Sequence, residues 1–277
     1  MYKIRKVWQL ATKVNEQHQL GIARQFLEIL WLYLCRGIGP NYYYEAGLWS
    51  RQLTWQDRLS HSNSQAYKAL VDRLNPAPYR KASQHKLLEK AVLTLAKVPT
   101  AEFVGFFHSE KGYDAQGRAL RNGADLASYL AGFDAQRLCF KLVEGWGGTG
   151  FRLIEVQVRD NQLTIQEYGQ TPLVFADWFA ELGDWSDGLL IERYIVQHPV
   201  MRGLNADSVN TLRSWVKRNG PQAEIIGAIV RSGREGCVVD NAGQGGFIAQ
   251  LDIHTGCITQ ALSCETLPQR FAKHPDT

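Results

Sequence analysis

The chain of 277 residues has an ordinary globular composition, with 45% hydrophobic and 21% charged residues, and is long enough for more than one lobe. Its net charge of +4 comes from basic residues interspersed with acidic ones, which gives little support for nucleic-acid binding and is explained by an anionic ligand. Five cysteines without a CxxC pair argue against a disulfide framework or a zinc site and favour a reducing, cytoplasmic compartment.

The first part of the chain has the apolar periodicity of helices. Residues 2–36 predict one or two helices, which the Gly-Ile-Gly-Pro sequence of residues 37–40 ends. Basic residues flank Trp8, so the first helix either packs on a core with a solvated face or lies on a membrane surface. The aromatic tract of residues 42–55 indicates packing of a helical lobe, with a carbohydrate or peptide platform as the alternative. The apolar run of residues 22–35 is too short to span a bilayer, and no targeting signal is evident.

A domain boundary is expected near residue 84. Helical spacing resumes over residues 55–74, and Pro76, Pro78 and the polar residues 80–84 then interrupt it. The following segment predicts an α+β lobe with an antiparallel hairpin. In chain order it contains a helix from residue 85, a strand at 102–108, a polar loop at 112–123, a short helix at 125–130, and strands at 138–143 and 151–158.

A glycine-rich turn joins the two strands of the predicted hairpin. Its glycines allow positive φ angles and close approach of the backbone to a ligand, so its N–H groups can cradle phosphate oxygens. Lys141, at the end of the first strand, adds a positive charge beside the turn. The turn is not a Walker loop, which needs Gly-Lys-Ser/Thr at its end, and it is not a Rossmann fingerprint, whose glycines open a helix and not a second strand. An ordinary glycine-rich hairpin with a surface lysine is the alternative.

The second half of the chain continues with strands and a second glycine-rich connection. Arg213 and Arg231 lie at the ends of predicted neighbouring strands, close in sequence to Asp240 and Asn241. Each of them singly is expected in a turn or an ion pair, but together they suggest an anion-binding centre. The predicted elements are a strand at residues 163–168, a helix at 173–182, an apolar strand at 189–195 stopped by Pro199, strands near 207–213 and 224–231, the connection at 238–247 and a turn at 252–256.

Taken together, these motifs resemble the ATP-grasp superfamily, in particular its sugar-transfer associated branch, whose members are related to alpha-L-glutamate ligases. The resemblance runs from Lys86 to the C-terminus. It implies an α+β ATP-grasp fold, in which two lobes with antiparallel sheets clasp ATP behind a helical N-terminal region. The corresponding division is residues 1–84 for the helical region, 85–190 for the first lobe with the glycine-rich loop, and 191–277 for the second lobe.

The resemblance also implies roles for individual residues. Lys86 and Lys141 would hold the ATP phosphates from two sides, and the residues from Glu192 to Ile195 would bind adenine. Arg213 and Arg231 would act on the transferring phosphoryl group, with Asn241 near the same centre as a third catalytic residue. The implied ATP-binding residues are Lys86, Lys141, Gly145, Gly147, Gly148, Thr149, Gly150, Glu192, Arg193, Tyr194, Ile195 and Asp240.

The sequence departs from the superfamily pattern at the metal site. ATP-grasp enzymes hold Mg²⁺ with an acidic residue and a Glu-x-Asn pair near the end of the fold, and no such pair occurs before residue 277. We therefore expect the second lobe to be truncated and the Mg²⁺ ligands to lie beyond residue 277. Asp240 and Asp252 are candidate substitutes, but their spacing does not support a metal site.

The resemblance thus implies an ATP-dependent carboxylate–amine ligase that works through an acyl phosphate and acts in cell-surface polysaccharide or peptide tailoring. Its expected partners are ATP and small-molecule or peptide carboxylates and amines, with no nucleic acid, no transmembrane segment and at most peripheral membrane contact. A non-catalytic ATP-binding or scaffold protein of degenerate ATP-grasp type is the first alternative. A carbohydrate-binding module is the second.

Overall fold

The structure, a computed structural model, describes residues 2–265, 267–274 and 276. The chain folds into two compact units, Met1–Pro78 with Leu262–Phe271 and Tyr79–Ala261 with Ala272–Thr277. The helices are α1 (Tyr2–His18), α2 (Ile22–Arg36), α3 (Pro40–Glu45), α4 (Trp55–Ser60), α5 (Ser64–Leu74), α6 (Ala77–Gln84), α7 (Lys86–Leu95), α8 (Gly123–Leu130), α9 (Phe175–Ala180) and α10 (Pro199–Arg202). The strands are β1 (Phe103–Phe107), β2 (Tyr113–Asp114), β3 (Gln136–Leu142), β4 (Arg152–Arg159), β5 (Gln162–Glu167), β6 (Leu173–Val174), β7 (Leu189–Arg193), β8 (Thr211–Asn219), β9 (Gln222–Ser232), β10 (Phe247–Leu251), β11 (Ile258–Ser263) and β12 (Arg270–Phe271).

The N-terminal segment of the first unit, up to Pro78, is helical, as the periodicity predicts. Gly37 ends α2 in the left-handed conformation with φ of 66°, which a residue without Cβ adopts without strain. Thr54 begins α4 with a capping box, in which the Asp57 N–H donates to Thr54 Oγ1 and the Thr54 N–H donates to the Asp57 carboxylate. The aromatic tract supplies part of the core of this unit, because Tyr43 and Tyr44 are fully buried beside apolar residues of α1 and α2. Among the described residues, no helix is both long and apolar enough to cross a membrane.

The second unit contains an antiparallel sheet with the strand order β2–β1–β7–β3–β4–β5–β6. Side chains alternate between its faces along β3, so Leu138 and Phe140 enter the core while Cys139 and Lys141 face the other way. In the register of β3 with β7, Cys139 lies opposite Glu192 and Lys141 lies opposite Leu190. Directly opposite residues share a face, and so do residues two apart. Lys141 and Glu192 therefore lie on the same side of the sheet, opposite the core.

A second sheet has the strand order β12–β11–β10–β9–β8. Within it, Thr211 of β8 lies opposite Arg231 of β9, and Arg213 lies opposite Ile229. Thr211 and Arg213 are two residues apart in a regular stretch of the ladder, so Arg213 and Arg231 are diagonal neighbours on one face. The prediction that adjacent strands carry these two arginines is confirmed.

Several local predictions differ from the structure. Residues 173–174 form the edge strand β6, and the helix that follows is only six residues long. The polar residues 80–84, expected to break helical structure, belong to α6, where Pro78 occupies the first turn and needs no intrahelical N–H partner. The α+β class with antiparallel sheets is confirmed, whereas the three-part division of the chain and a truncated second lobe stay predictions.

The core beneath the first sheet yields a stability prediction. Trp178 of α9 is fully buried, packs edge-on against Phe140 and donates its indole N–H to Glu167 at 2.8 Å. We expect Trp178→Ala to lower the free energy of unfolding by about 4 kcal/mol, because it leaves a cavity and removes a buried hydrogen bond. The exposed Trp146 is the matched control, and Trp146→Ala should change the value by less than about 0.5 kcal/mol. Urea unfolding of both variants checks this, and equal losses would contradict the assigned core.

Candidate functional site

A cavity of about 420 Å³ lies on the face of the first sheet opposite the core. Its walls come from α7, the loop between α7 and β1, the ends of β3 and β7, and the glycine-rich loop of residues 145–150. This volume falls in the range of small-molecule sites. The lining residues are Lys86, Glu89, Lys90, Leu93, Thr100, Ala101, Lys141, Gly145, Gly148, Thr149, Phe151, Leu190, Glu192 and Ile195.

The buried carboxylate of Glu192 is bound by two lysines. Lys141 of β3 reaches its Oε2 at 2.5 Å, and Lys90 of α7 binds its Oε1. Lys90 also donates to Thr100 Oγ1 at 2.9 Å and to the carbonyl of Ala101. The exposed fractions of the side chains are 4% for Glu192, 8% for Lys90 and 33% for Lys141. Lys90 is therefore fixed in place, whereas Lys141 makes one ion pair and opens onto the cavity.

Lys86 also lines the cavity, beside the glycine-rich loop. Its ammonium donates to the carbonyls of Leu142 and Gly145 at 2.8 and 2.6 Å, and its backbone N–H donates to Val143 at 3.0 Å. His85 caps the helix by accepting from the backbone N–H two residues after Lys86, which places the lysine in the first turn. Burial, followed by the charge of Lys141, lowers the pKa of Lys86. Its ammonium thus ties the start of the loop to α7.

The glycine-rich loop depends on glycine in part because of its own packing. A Cβ at Gly150 would collide with the side chain of Leu142, and Gly150 has φ of 68°. Gly147 also has a positive φ, 58°, but a Cβ there would make only ordinary contacts. The loop conformation is thus set by the hairpin, and it leaves Gly145, Gly148 and Thr149 on the cavity wall.

The two glycine-rich connections meet. Gln244 Nε2 donates to the carbonyl of Gly147 at 3.2 Å, and the position of a Cβ on Gly147 lies 3.6 Å from Asn241 Nδ2. Val239 packs beside Gly148 in the same region. The side chain of Asn241 accepts from the Gly243 N–H at 2.7 Å and so caps its own turn. Residues 239–244 therefore pack against the glycine-rich loop of residues 145–150. The two segments lie about a hundred residues apart in the chain.

The predicted catalytic arginines differ in their surroundings. Arg231 is mostly buried and donates to Asp240 Oδ1 at 2.8 Å, and Thr211 donates its hydroxyl to the other carboxylate oxygen. Arg213 lies on β8, on the same face of the sheet as Arg231, and is exposed. Neither arginine lines the cavity. Arg231, Asp240 and Thr211 form one cluster, and Asn241 follows Asp240 directly in the chain.

The segment predicted to bind adenine is divided. Ile195 lines the cavity, whereas Arg193 lies over the ring of Phe133 and lines a separate pocket with Glu102. Tyr194 donates its backbone N–H to the carbonyl of Arg137 at 3.2 Å. The apolar wall near Ile195 comes from side chains that the sequence did not single out, namely Leu93, Phe151 and Leu190.

The described residues do not fit a Mg²⁺ site. No group of three or more His, Cys, Asp or Glu side chains in this part of the chain could hold a metal ion. Glu192 is taken up by two lysines, and Asp240 by Arg231 and Thr211. Asp252 accepts from backbone N–H groups of its own turn, which lowers its pKa. The contacts of Asp240 and Asp252 thus give no support to the idea that either residue serves as a Mg²⁺ ligand.

Cys139 shares the face of Glu192 but is not a candidate nucleophile. Burial raises the pKa of its thiol to about 11, so that the thiolate is scarce at neutral pH.

Lys90 was missed by the sequence reasoning, although a signal for it existed. It lies four residues after Lys86 in α7, and residues at this spacing share a helix face. A lysine on the predicted phosphate side of the helix could therefore have been inferred. The ion pair of Lys90 with Glu192 could not be inferred, because it depends on how α7 packs against the sheet that carries β7.

The Glu192 ion pairs yield a second prediction. Lys90→Met should lower the free energy of unfolding by about 3 kcal/mol, because it leaves a buried carboxylate with one partially exposed partner. Lys141→Met should cost about 1 kcal/mol or less, as expected for a partially exposed pair that leaves Lys90 in place. The double variant Lys90→Met/Glu192→Met should recover part of the loss by removing the unpaired charge. Urea unfolding tests the order, and a larger effect for Lys141→Met would overturn the assignment of Lys90 as the fixed partner.

Comparison with known proteins identifies the family. The family model described as sugar-transfer associated ATP-grasp matches residues 65–277, more than half of the chain. No curated protein and no solved structure gives a significant match. The resemblance inferred from the lysines, glycine-rich turns and arginine-bearing strands is confirmed. Members of this family bind ATP, and membership indicates an ATP-dependent, ligase-like activity in a sugar-transfer context. The chain belongs to the sugar-transfer associated ATP-grasp family.

Proposed function

We propose that the protein binds ATP in the lysine-lined cavity and uses it to activate a carboxylate for attack by an amine. The observation that carries the proposal is the arrangement of Lys141, a partially exposed ammonium that pairs with a buried carboxylate and lines a cavity of about 420 Å³. Family membership supports the nucleotide. The cavity supplies both the cations that phosphates need and an apolar wall for a base.

The phosphates are assigned to the end of the cavity where Lys86 and Lys141 approach the glycine-rich loop. Lys90 neutralises Glu192, so Lys141 can turn from the carboxylate to a phosphate without leaving an unpaired buried charge. Lys86 lies next to the loop carbonyls and adds a second positive charge. Leu93, Leu190 and Ile195 are assigned to adenine, because their apolar surface suits an aromatic base.

The proposed reaction has two steps. A carboxylate oxygen of the substrate attacks the γ-phosphorus of ATP, the bond from this phosphorus to the bridging oxygen breaks, and ADP leaves with the electron pair. The amine then attacks the acyl carbon, inorganic phosphate leaves, and the amine loses a proton. Fixed cations stabilise the charge on the transferring group. Arg231, with Arg213 diagonal to it on the same sheet face, is assigned to this role, and Asn241 is assigned to orient the adjoining loop.

The family description supports the proposed substrate class. A family associated with sugar transfer fits a carboxylate used in cell-surface polysaccharide or peptide tailoring. Action in the cytoplasm is part of the same proposal, because the free cysteines suit a reducing compartment.

The alternative is a non-catalytic ATP-binding protein. It is favoured by one observation, that the described residues provide no group for Mg²⁺. ADP release on addition of carboxylates and amines separates the two functions, because a protein that only binds ATP releases none.

The assignment of phosphates to Lys141 can be tested by calorimetry. Lys141→Met should weaken ATP binding by about 1.5–3 kcal/mol, the range for a lost charged hydrogen bond, and should leave adenosine binding nearly unchanged. Lys111→Met is the matched control, because Lys111 is exposed and does not line the cavity. Unchanged ATP affinity in Lys141→Met would exclude this lysine as a phosphate ligand.

The role of Arg231 can be separated from binding. Arg231→Lys keeps the positive charge but loses the planar fork, so ATP affinity should stay within about twofold while turnover falls about tenfold or more. Calorimetry and an ADP-release assay on the same preparation measure the two quantities. If binding and turnover fell in equal measure, Arg231 would be a ground-state ligand rather than a catalytic residue.

A further inference from the structure

Helix α2 carries large apolar side chains on its outward side, while its buried side combines Ile29 and Leu32 with two polar residues. Gln25 and Glu28 are buried, whereas the exposed fractions of Leu27, Trp31 and Leu34 are 68%, 54% and 70%. At 100° per residue these three, with Leu30, cover the side of the helix opposite its buried residues. A surface helix of a globular protein normally carries charged and polar residues on its outward face.

Internal hydrogen bonds fix this orientation. Gln25 donates to the carbonyls of Leu20 and Ala11 at 2.7 and 3.1 Å, and Tyr44 donates its hydroxyl to the Gln25 side-chain oxygen at 3.0 Å. Tyr43 donates to the Glu28 carboxylate at 2.7 Å. Rotating α2 to bury Leu27, Leu30 and Leu34 would leave the buried side chains of Gln25 and Glu28 without partners, at a cost of about 1–3 kcal/mol each. The apolar side is therefore held outward.

The outward side is continuous with neighbouring apolar surface. Leu27, Leu30, Trp31 and Leu34 line a shallow groove of about 760 Å³ with Trp55 of α4, and Arg24 lies at its edge. On the other side of α2, Phe26 stacks on the exposed Trp8 of α1 with ring centroids 6.2 Å apart. Contiguous exposed apolar surface of this kind marks an interaction site.

The charge of the same segment indicates its partner. Residues 1–36 contain six Lys or Arg and two Glu, a net +4, so the other residues of the chain carry 25 basic and 25 acidic side chains and sum to zero. The whole excess charge of the protein thus accompanies α1 and α2. Arg5 and Lys13 are exposed on α1, and Arg24 and Arg36 are exposed on α2.

We infer that the α1–α2 surface binds an anionic membrane. Tryptophan and leucine on one side with lysine and arginine around them are the composition of interfacial helices, and anionic headgroups match the net charge. A second copy of the chain fits less well, because a two-fold contact through this surface would bring two segments of +4 together. The helices would lie in the headgroup region without crossing the bilayer.

The test is sedimentation of the full chain with vesicles of phosphatidylcholine and with vesicles of phosphatidylcholine and phosphatidylglycerol. Binding is expected only to the second kind, and salt should weaken it. Leu34→Ser should reduce the partition coefficient about tenfold, the effect of removing one buried leucine side chain. Leu95→Ser is the matched control, because Leu95 is also an exposed helical leucine, and it should bind like the unmodified protein.

Charge is tested separately with matched pairs. Arg5→Gln/Lys6→Gln should reduce binding to the anionic vesicles about thirtyfold, since each basic residue near the surface contributes about a fivefold factor. Lys217→Gln/Arg218→Gln removes the same charge from the exposed strand β8 and should have little effect. Equal binding to both kinds of vesicle, or equal effects of the two charge pairs, would overturn the proposal. It would also be overturned by absent vesicle binding together with a concentration-dependent dimer that Leu34→Ser dissociates.

Discussion

The buried carboxylate of Glu192 is the constraint on which the cavity beside the glycine-rich loop depends. Removing a carboxylate from water costs several kcal/mol, which only close cations and hydrogen bonds offset. Here the cations come from two elements, Lys90 from α7 and Lys141 from β3, while Glu192 itself lies on β7. Because the buried carboxylate needs the ammonium of Lys90, α7 is held against this side of the sheet. The same requirement keeps a partially exposed ammonium at the cavity mouth.

Alternation along β3 separates the chemistry from the core. Because neighbouring side chains point to opposite faces, Phe140 packs against Trp178 while Lys141, the next residue, faces the cavity. A slip of one residue in the register with β7 would bury the lysine and expose the phenylalanine. The apolar packing of one face therefore specifies the position of the functional groups on the other.

How much of this could be predicted from the sequence depends on the range of the interaction. The hairpin around residues 145–150, the strand carrying Glu192 and the helix beginning at Lys86 follow from local periodicity, glycine content and capping. The contact of Gln244 with Gly147 could not be predicted, because it joins segments far apart in the chain. Glu192 was expected to contact adenine, yet its carboxylate pairs with two lysines. The pair with Lys141 depends on strand register and the pair with Lys90 on the packing of α7 against the sheet.

Buried polar groups act in the same way in α2 as in the cavity, although the two places lie in different units. In each place a buried polar group has hydrogen-bond or ion-pair partners for its polar atoms. This pairing holds another side chain in a position that burial of apolar surface by itself would not favour. Glu192 holds Lys141 beside a cavity, and Gln25 with Glu28 turns Trp31 and Leu34 toward water. An apolar side chain held in water forfeits about 1.5–3 kcal/mol of burial. A partner that covers it regains that free energy on binding, so an outward apolar face fixed by internal hydrogen bonds favours association without any change in the fold.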